Sequence, residues 1–350
     1  MCAATAHHGP VGDRHNGAMD QNATIAELAQ RSRAARDRIG AHLVRTPLVP
    51  DPVLSERIGV QVFIKAEHLQ VTGSFKARGA LAKLSALQQA SPGHTVEVVT
   101  ASSGNHGLAV AHALDVLGGK GTICVPEGAS PAKVARIRAT GTPLLQVGRH
   151  AGESEQHAAE LAAEHGITYV SPYDDDDVIA GQGTVGLEIV EDAENPYDVA
   201  IVAVGGGGLV AGVAATLKDA WPGVRVVGAQ PVHDAAMAES VRAGEIIEPD
   251  ARPTLSDGTA GPVAPGARTF ALCRDLVDDW VLVDEQEIAA AMAHHIDVLH
   301  QLVEGSAGVA LAAVDHLSEL EGVPANPRIV VISCGANIGA DRLVEALAQR

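Results

Sequence analysis

The residues of this chain with the most chemical potential are Gly73-Ser74-Phe75-Lys76-Ala77-Arg78-Gly79-Ala80, where Lys76 follows one of only three phenylalanines. Lysines ordinarily crowd solvated faces. One placed in a Gly/Ser/Ala-lined turn at the start of a helix suits a Schiff base to an aldehyde cofactor or a carbonyl substrate. Taken alone, the run is explained as well by a lysine that only solvates the first turn of a helix. Two distant motifs shift the balance.

The first is Gly205-Gly206-Gly207-Gly208, between an apolar strand and a helix. Without Cβ atoms such a turn can aim several N–H groups inward, and the following helix adds its dipole, so an anion cradle results. Four glycines cost much backbone entropy for a turn with no ligand. Gly206, Gly208 and Ala211 fit a loose dinucleotide fingerprint, but the next strand ends Val227-Gly228-Ala229-Gln230 and lacks the ribose-binding carboxylate. A cofactor with a single phosphate fits better.

The second is Ala101-Ser102-Ser103-Gly104-Asn105-His106-Gly107. It follows a β-branched strand and opens a helix, giving an N–H-rich pocket with added hydroxyls that suits a substrate carboxylate. Asn105 is placed to donate to a phenolate oxygen. A helix start capped by Ser102 or Ser103 explains one serine but not the whole run. His106 fits a structural partner better than a catalyst.

The elements that must position these groups alternate. Strands are expected at 61–65, 96–100, 121–125, 143–147, 168–170, 199–204, 225–229, 281–283 and 328–333. Helices are expected at 25–42, 76–89, from the end of the 101–107 run to 117, 131–140, 151–165, 182–194, 209–220, 235–243, 284–302, 307–317 and 339–348. Thr24 with Glu27, and Asp284 with Glu287, read as capping boxes. The pattern implies α/β architecture, with parallel-rich twisted sheets covered by helices on both faces. Residues 252–269 are Pro/Gly-rich and irregular, as a site loop would be. The run Asp174 to Asp177 reads as a solvated loop rather than a metal site.

Composition sets the remaining bounds. The 350 residues are 46% hydrophobic and only 2% aromatic, so Ala, Val, Leu and Ile must build the core. A net charge of −18 argues against nucleic acid and anionic membranes as partners. Cys2, Cys124, Cys273 and Cys334 are widely spaced, with no paired motif, which fits a reduced cytoplasmic protein. No apolar run reaches membrane-span length. Residues 1–22 read as a disordered tail.

Together, the lysine motif, the serine loop and the tetraglycine turn make the chain resemble the fold-type II pyridoxal-phosphate enzymes (tryptophan synthase β-like), specifically their serine/threonine dehydratase and serine racemase branch. The matching stretches are 45–48, 73–80, 102–107, 181–184, 205–209 and 303–305. The resemblance implies a large domain of 23–71 and 166–350 and a small domain of 72–165. It implies pyridoxal 5'-phosphate bound through Lys76. Phe75 would lie on one face of the ring and the Asp257-Gly258 loop on the other. Asn105 would meet the ring oxygen, Gly205, Gly206, Gly207, Gly208 and Leu209 the phosphate, and Cys334 the ring nitrogen. Ser102, Ser103, Gly104, Asn105 and His106 would bind the amino-acid carboxylate, and Lys76 would remove the Cα proton.

Three departures qualify it. Cys334-Gly335-Ala336-Asn337 replaces the usual Ser-Gly-Gly-Asn, and a thiol is a weak hydrogen-bonding group that leaves the ring neutral. Gln230 and Ala236 occupy positions where some relatives carry acidic cation ligands, so no metal site is expected. With the sequence ending at Arg350, no regulatory extension is expected. The expected reaction is deamination of L-threonine or L-serine to a 2-oxo acid and ammonia, by a homodimer. Serine racemisation with Ser103 as the opposite-face base is an alternative. Others are dehydration of another β-hydroxy amino acid, such as 3-hydroxyaspartate or an intermediate of ectoine breakdown, and a non-catalytic ligand-binding protein.

Overall fold

The computed structural model describes residues 18–350, with side chains from residue 21 onward. Ten strands are found among the described residues: β1 (Leu48–Pro50), β2 (Gln61–Lys65), β3 (Glu97–Ala101), β4 (Lys120–Val125), β5 (Leu144–Gln146), β6 (Thr168–Tyr169), β7 (Val199–Ala203), β8 (Arg225–Pro231), β9 (Asp279–Val283) and β10 (Arg328–Ile332). They form a six-stranded sheet, order β1-β2-β10-β7-β8-β9, and a four-stranded sheet, order β5-β4-β3-β6. Every pairing is parallel except β1 with β2.

Burial explains the strand sequences. β7, Val-Ala-Ile-Val-Ala, is buried at every position because helices cover both faces of its sheet. The larger core, built on the six-stranded sheet, draws on Val, Ile, Leu and Ala from nearly every element of that lobe. Smaller clusters fill the lobe of the four-stranded sheet.

The helix Asp176–Asp192 joins two of the three motifs. A methyl at Gly181 would stand 2.5 Å from the Arg78 carbonyl oxygen, in the helix Lys76–Ala90. On another face, a methyl at Gly212 would stand 2.4 Å from the Ile179 carbonyl oxygen. Gly212 belongs to Gly208–Ala220, the helix that follows the tetraglycine turn. Backbone contact without side chains therefore fixes the lysine helix and the glycine-turn helix to one common strut.

Several expectations are corrected. The first helix is Ala18–Ile39, so Thr24 lies inside it and does not cap it; Glu27 pairs with Arg31 at 3.0 Å instead. Residues 1–17 of the expected tail lie outside the described residues, and 18–22 are helical. The acidic run is not a solvated loop. Asp175 caps the strut helix, accepting from the N–H groups of Asp177 and Val178, and pairs with Lys83 at 2.7 Å. Asp174 accepts from the Thr269 N–H at 3.1 Å. β6 pairs with β3, so the smaller sheet runs past the expected division at 165/166. Two short helices, Pro52–Ile58 and Arg268–Leu276, were not anticipated. The Asp284/Glu287 capping box is present, on the helix Glu285–Asp297, which ends earlier than its apolar pattern suggests.

Candidate active site

Lys76 opens its helix with no side-chain cap before it. The turn that carries it is clamped onto the segment leaving β10. The Phe75 N–H donates to the Cys334 carbonyl at 3.1 Å, and the Ala336 N–H donates to the Gly73 carbonyl at 2.9 Å. Lys76 Nζ donates to the Pro172 carbonyl at 2.8 Å and stands 5.2 Å from the centre of the Phe75 ring. Part of the residue's surface remains exposed. No carboxylate pairs with the amine among the described residues. Burial lowers its pKa to about 8, opposed only weakly by the more distant Cys334 and Glu304.

Beneath the turn lies an ion network that sequence reading missed. Arg78, fully buried, bonds Glu67 at 2.7 Å, Glu188 at 2.7 Å and the Thr184 hydroxyl at 3.0 Å. Lys65 donates to Glu188 at 2.6 Å, and the Thr46 hydroxyl donates to Glu67. These contacts give a physical reason for the distant stretches 45–48 and 181–184: Thr46 and Thr184 satisfy charges buried under the lysine turn.

The tetraglycine turn links β7 to its helix. Within the chain, the N–H groups of Gly205 through Leu209 meet no acceptor among the described residues. Gly207 has φ +90, a left-handed conformation that a side chain would strain. A methyl at Gly206 would stand 2.3 Å from the Tyr173 ring, and one at Gly207 2.6 Å from the Cys273 sulfur. Glycine is thus required by packing as well as by open amides. Thr269 Oγ1, beside Gly207, is buried without a partner. The amine and the turn meet through adjacent residues, Pro172 accepting from Lys76 and Tyr173 lying on Gly206.

The serine loop closes β3. Ser102 Oγ accepts from the Gly104 N–H at 3.1 Å, while the Ser103 hydroxyl has no partner within the described residues. Asn105 Nδ2 donates to Glu304 Oε1 at 2.7 Å, and Asn105 Oδ1 accepts from Asn337 Nδ2 at 2.5 Å. His106 does not face this pocket. Its ring is buried, with Nε2 3.0 Å from the Val170 carbonyl, and burial with the nearby Lys76 charge pushes its pKa down to about 3. Its ring is that of a neutral structural histidine, as the sequence reading favoured.

Cys334 is buried, and burial with the neighbouring Glu304 keeps its thiol protonated. Gly258 donates its N–H to Ser306 Oγ at 3.1 Å, and Asp257 pairs with Lys133 at 3.2 Å. Leu209 turns into the core. Glu304 and Tyr173 were assigned no role from sequence. Glu304, buried with its pKa raised by that burial, holds both Asn105 and the Asn337 N–H. Its one visible signal was a lone acid between Val303 and Gly305.

Among the described residues no helix is long and apolar enough to cross a membrane. An easily neutralised amine, unshared amides at a helix N-terminus and a buried hydroxyl beside them fit an aldehyde that carries a phosphate.

Fold and site thus define an α/β enzyme of two helix-covered, mainly parallel sheets, with a lysine and a glycine turn that fit a phosphorylated aldehyde cofactor. The family model described as pyridoxal-phosphate dependent enzyme matches residues 39–335, and the chain belongs to that family, with pyridoxal phosphate as its cofactor. It is similar to the L-threonine ammonia-lyase of Geobacter sulfurreducens, 37% identical over 306 residues, covering 87% of this chain and 74% of that one. Among solved structures, threonine deaminase isoform 2 from Solanum lycopersicum superposes with TM-score 0.84 at 32% identity, over 97% of this chain and 94% of that one. Maize serine racemase does so with TM-score 0.84 at 32% identity, over 91% and 96%.

Proposed function

We propose that this chain is a pyridoxal-phosphate-dependent ammonia-lyase that converts L-threonine and L-serine to the corresponding 2-oxo acid and ammonia. Relatives named as threonine ammonia-lyase and threonine deaminase support the reaction class. The observation that carries the reading is the Lys76 amine, held on a carbonyl without a carboxylate and joined through Pro172 and Tyr173 to the glycine turn.

Pyridoxal phosphate, when bound, supplies the aldehyde that takes up the substrate nitrogen and an electron sink for charge developed at Cα. The chain supplies the rest. The amides of 205–209, with Thr269 Oγ1 beside them, would hold the phosphate. Phe75 and the 257–258 loop would line the ring's site, and Asn105 would donate to its oxygen. The Lys76 amine would serve the aldehyde and, as a free amine, would take the Cα proton. Ser102, Ser103 and the amides of their loop hold the substrate carboxylate. Cys334 remains an uncharged thiol, so it offers the ring nitrogen a weak hydrogen bond and no proton. That limits how long negative charge persists at Cα and favours prompt departure of the β-hydroxyl over reprotonation. The active assembly is a homodimer.

The test is release of 2-oxo acid from L-threonine and L-serine by the purified, cofactor-loaded protein. Turnover of either supports the reading. Racemised serine without 2-oxo acid would assign the chain to the isomerase reaction, and no product from either substrate would overturn the proposal.

A further inference from the structure

Four polar side chains form a continuous hydrogen-bonded row from solvent to the buried centre of the site. Arg136 lies exposed on the helix Pro131–Arg138, and its Nη2 donates to Asn337 Oδ1 at 2.6 Å. Asn337 Nδ2 donates to the Thr72 carbonyl at 2.9 Å and to Asn105 Oδ1 at 2.5 Å. Asn105 Nδ2 donates to Glu304 Oε1 at 2.7 Å, and Glu304 Oε2 accepts from the Asn337 N–H at 3.0 Å. The row passes between lobes. Arg136 and Asn105 sit with the four-stranded sheet, whereas Asn337 follows β10 of the six-stranded sheet.

A carboxamide can turn over with almost no change of shape, so its neighbours must set its direction. A guanidinium only donates and a backbone carbonyl only accepts. Arg136 therefore fixes the oxygen of Asn337, and Thr72 independently fixes its nitrogen. Both hydrogens of that nitrogen are then committed, one to Thr72 and one to Asn105. Asn105 must turn its oxygen toward Asn337 and its N–H groups toward the other side. Were Asn105 reversed, its oxygen would face the Glu304 carboxyl oxygen, a contact of two acceptors.

We infer that Arg136 and Asn337 are positioning residues: they set the direction of the Asn105 carboxamide, so that Asn105 offers the cofactor's ring oxygen an N–H and not its own oxygen. The inference rests on the reading of Asn105 given above, and the experiment separates the two.

Asn337→Asp keeps the size and replaces the donor with a carboxylate. Arg136→Met removes the donor at the exposed end, and Arg136→Lys restores a group that only donates. Asn105→Ala is the control. Each protein is loaded with pyridoxal phosphate, and two quantities are measured: the ratio of its visible to near-ultraviolet absorbance bands, and the affinity for the cofactor by titration. Asn337→Asp is expected to shift the ratio and to weaken binding roughly tenfold. Arg136→Met shifts the ratio less in the same direction, and Arg136→Lys returns it toward wild type. A wild-type ratio in Asn337→Asp and Arg136→Met beside a shifted Asn105→Ala overturns the inference and leaves the role of Asn105 standing. An unshifted Asn105→Ala overturns both. Should Asn337→Asp fail to fold, the Arg136 pair decides alone, and an unmoved ratio in Arg136→Met contradicts the proposal.

Discussion

Lys65 and Lys76 flank the same turn and are built for opposite ends. Lys65, wholly buried at the end of β2, donates to Glu188 at 2.6 Å and to the Thr46 carbonyl at 2.7 Å. Its charge is balanced, and it shares Glu188 with Arg78. Lys76 donates to one carbonyl and pairs with no carboxylate among the described residues. A lysine given a carboxylate becomes scaffold; a lysine denied one loses its proton readily and becomes available for bond formation. Lys65 ends a strand of the six-stranded sheet and Lys76 opens a helix that packs into the smaller lobe, and the first holds in place the turn that carries the second.

Substitutions separate these roles. Lys76→Ala should retain the fold and lose at least about a thousandfold in 2-oxo acid release. An unchanged melting temperature beside lost turnover is the signature. Glu188→Ala strips Lys65 and Arg78 of their shared acceptor and should cost about 3–5 kcal/mol of stability, read as a lowered urea midpoint. If Glu188→Ala proved as stable as wild type, the contrast between the lysines would lose its structural half.

Gly206→Ala forces a methyl against the Tyr173 ring, while Gly223→Ala enters open space. Overpacking of about 1–3 kcal/mol predicts roughly 5- to 150-fold weaker cofactor binding for the first, by titration, and no change for the second. Finally, the neutral amine is the form that attacks an aldehyde, and its fraction rises with pH. With a pKa near 8, uptake of cofactor by the cofactor-free protein should rise about tenfold from pH 6 to 7 and level off above about pH 8. A rate still climbing to pH 10 would place the amine at its ordinary value.

The sequence disclosed what unusual composition can disclose. A lysine among small residues, four successive glycines and an Asp/Glu capping box each break a local expectation, and each marked its element correctly. The alternation of apolar strands and helices likewise announced parallel sheets. What stayed hidden depends on partners far apart along the chain. Arg78, Glu304 and Asn337 lie in stretches the sequence singles out without giving them a role, Glu188 lies in none, and only the fold brings their partners together. The acidic run misled because consecutive aspartates resemble a solvated loop, yet one becomes a helix cap and another pairs with Arg268. Thr24 misled because a capping pattern also occurs inside a helix whose start lies further back. The ring of His106 turns away toward Val170, in keeping with the structural part the sequence reading favoured for it.

The central claim is that one amine, among all the lysines of the chain, is poised for an aldehyde whose phosphate rests on the glycine turn. It is tested most directly by reducing the cofactor-loaded protein with borohydride and mapping the modified peptide by mass spectrometry. The account predicts the pyridoxyl mass on Lys76, with Lys65 unmodified. A mark spread over other lysines, or absent from the peptide containing Lys76, would contradict it.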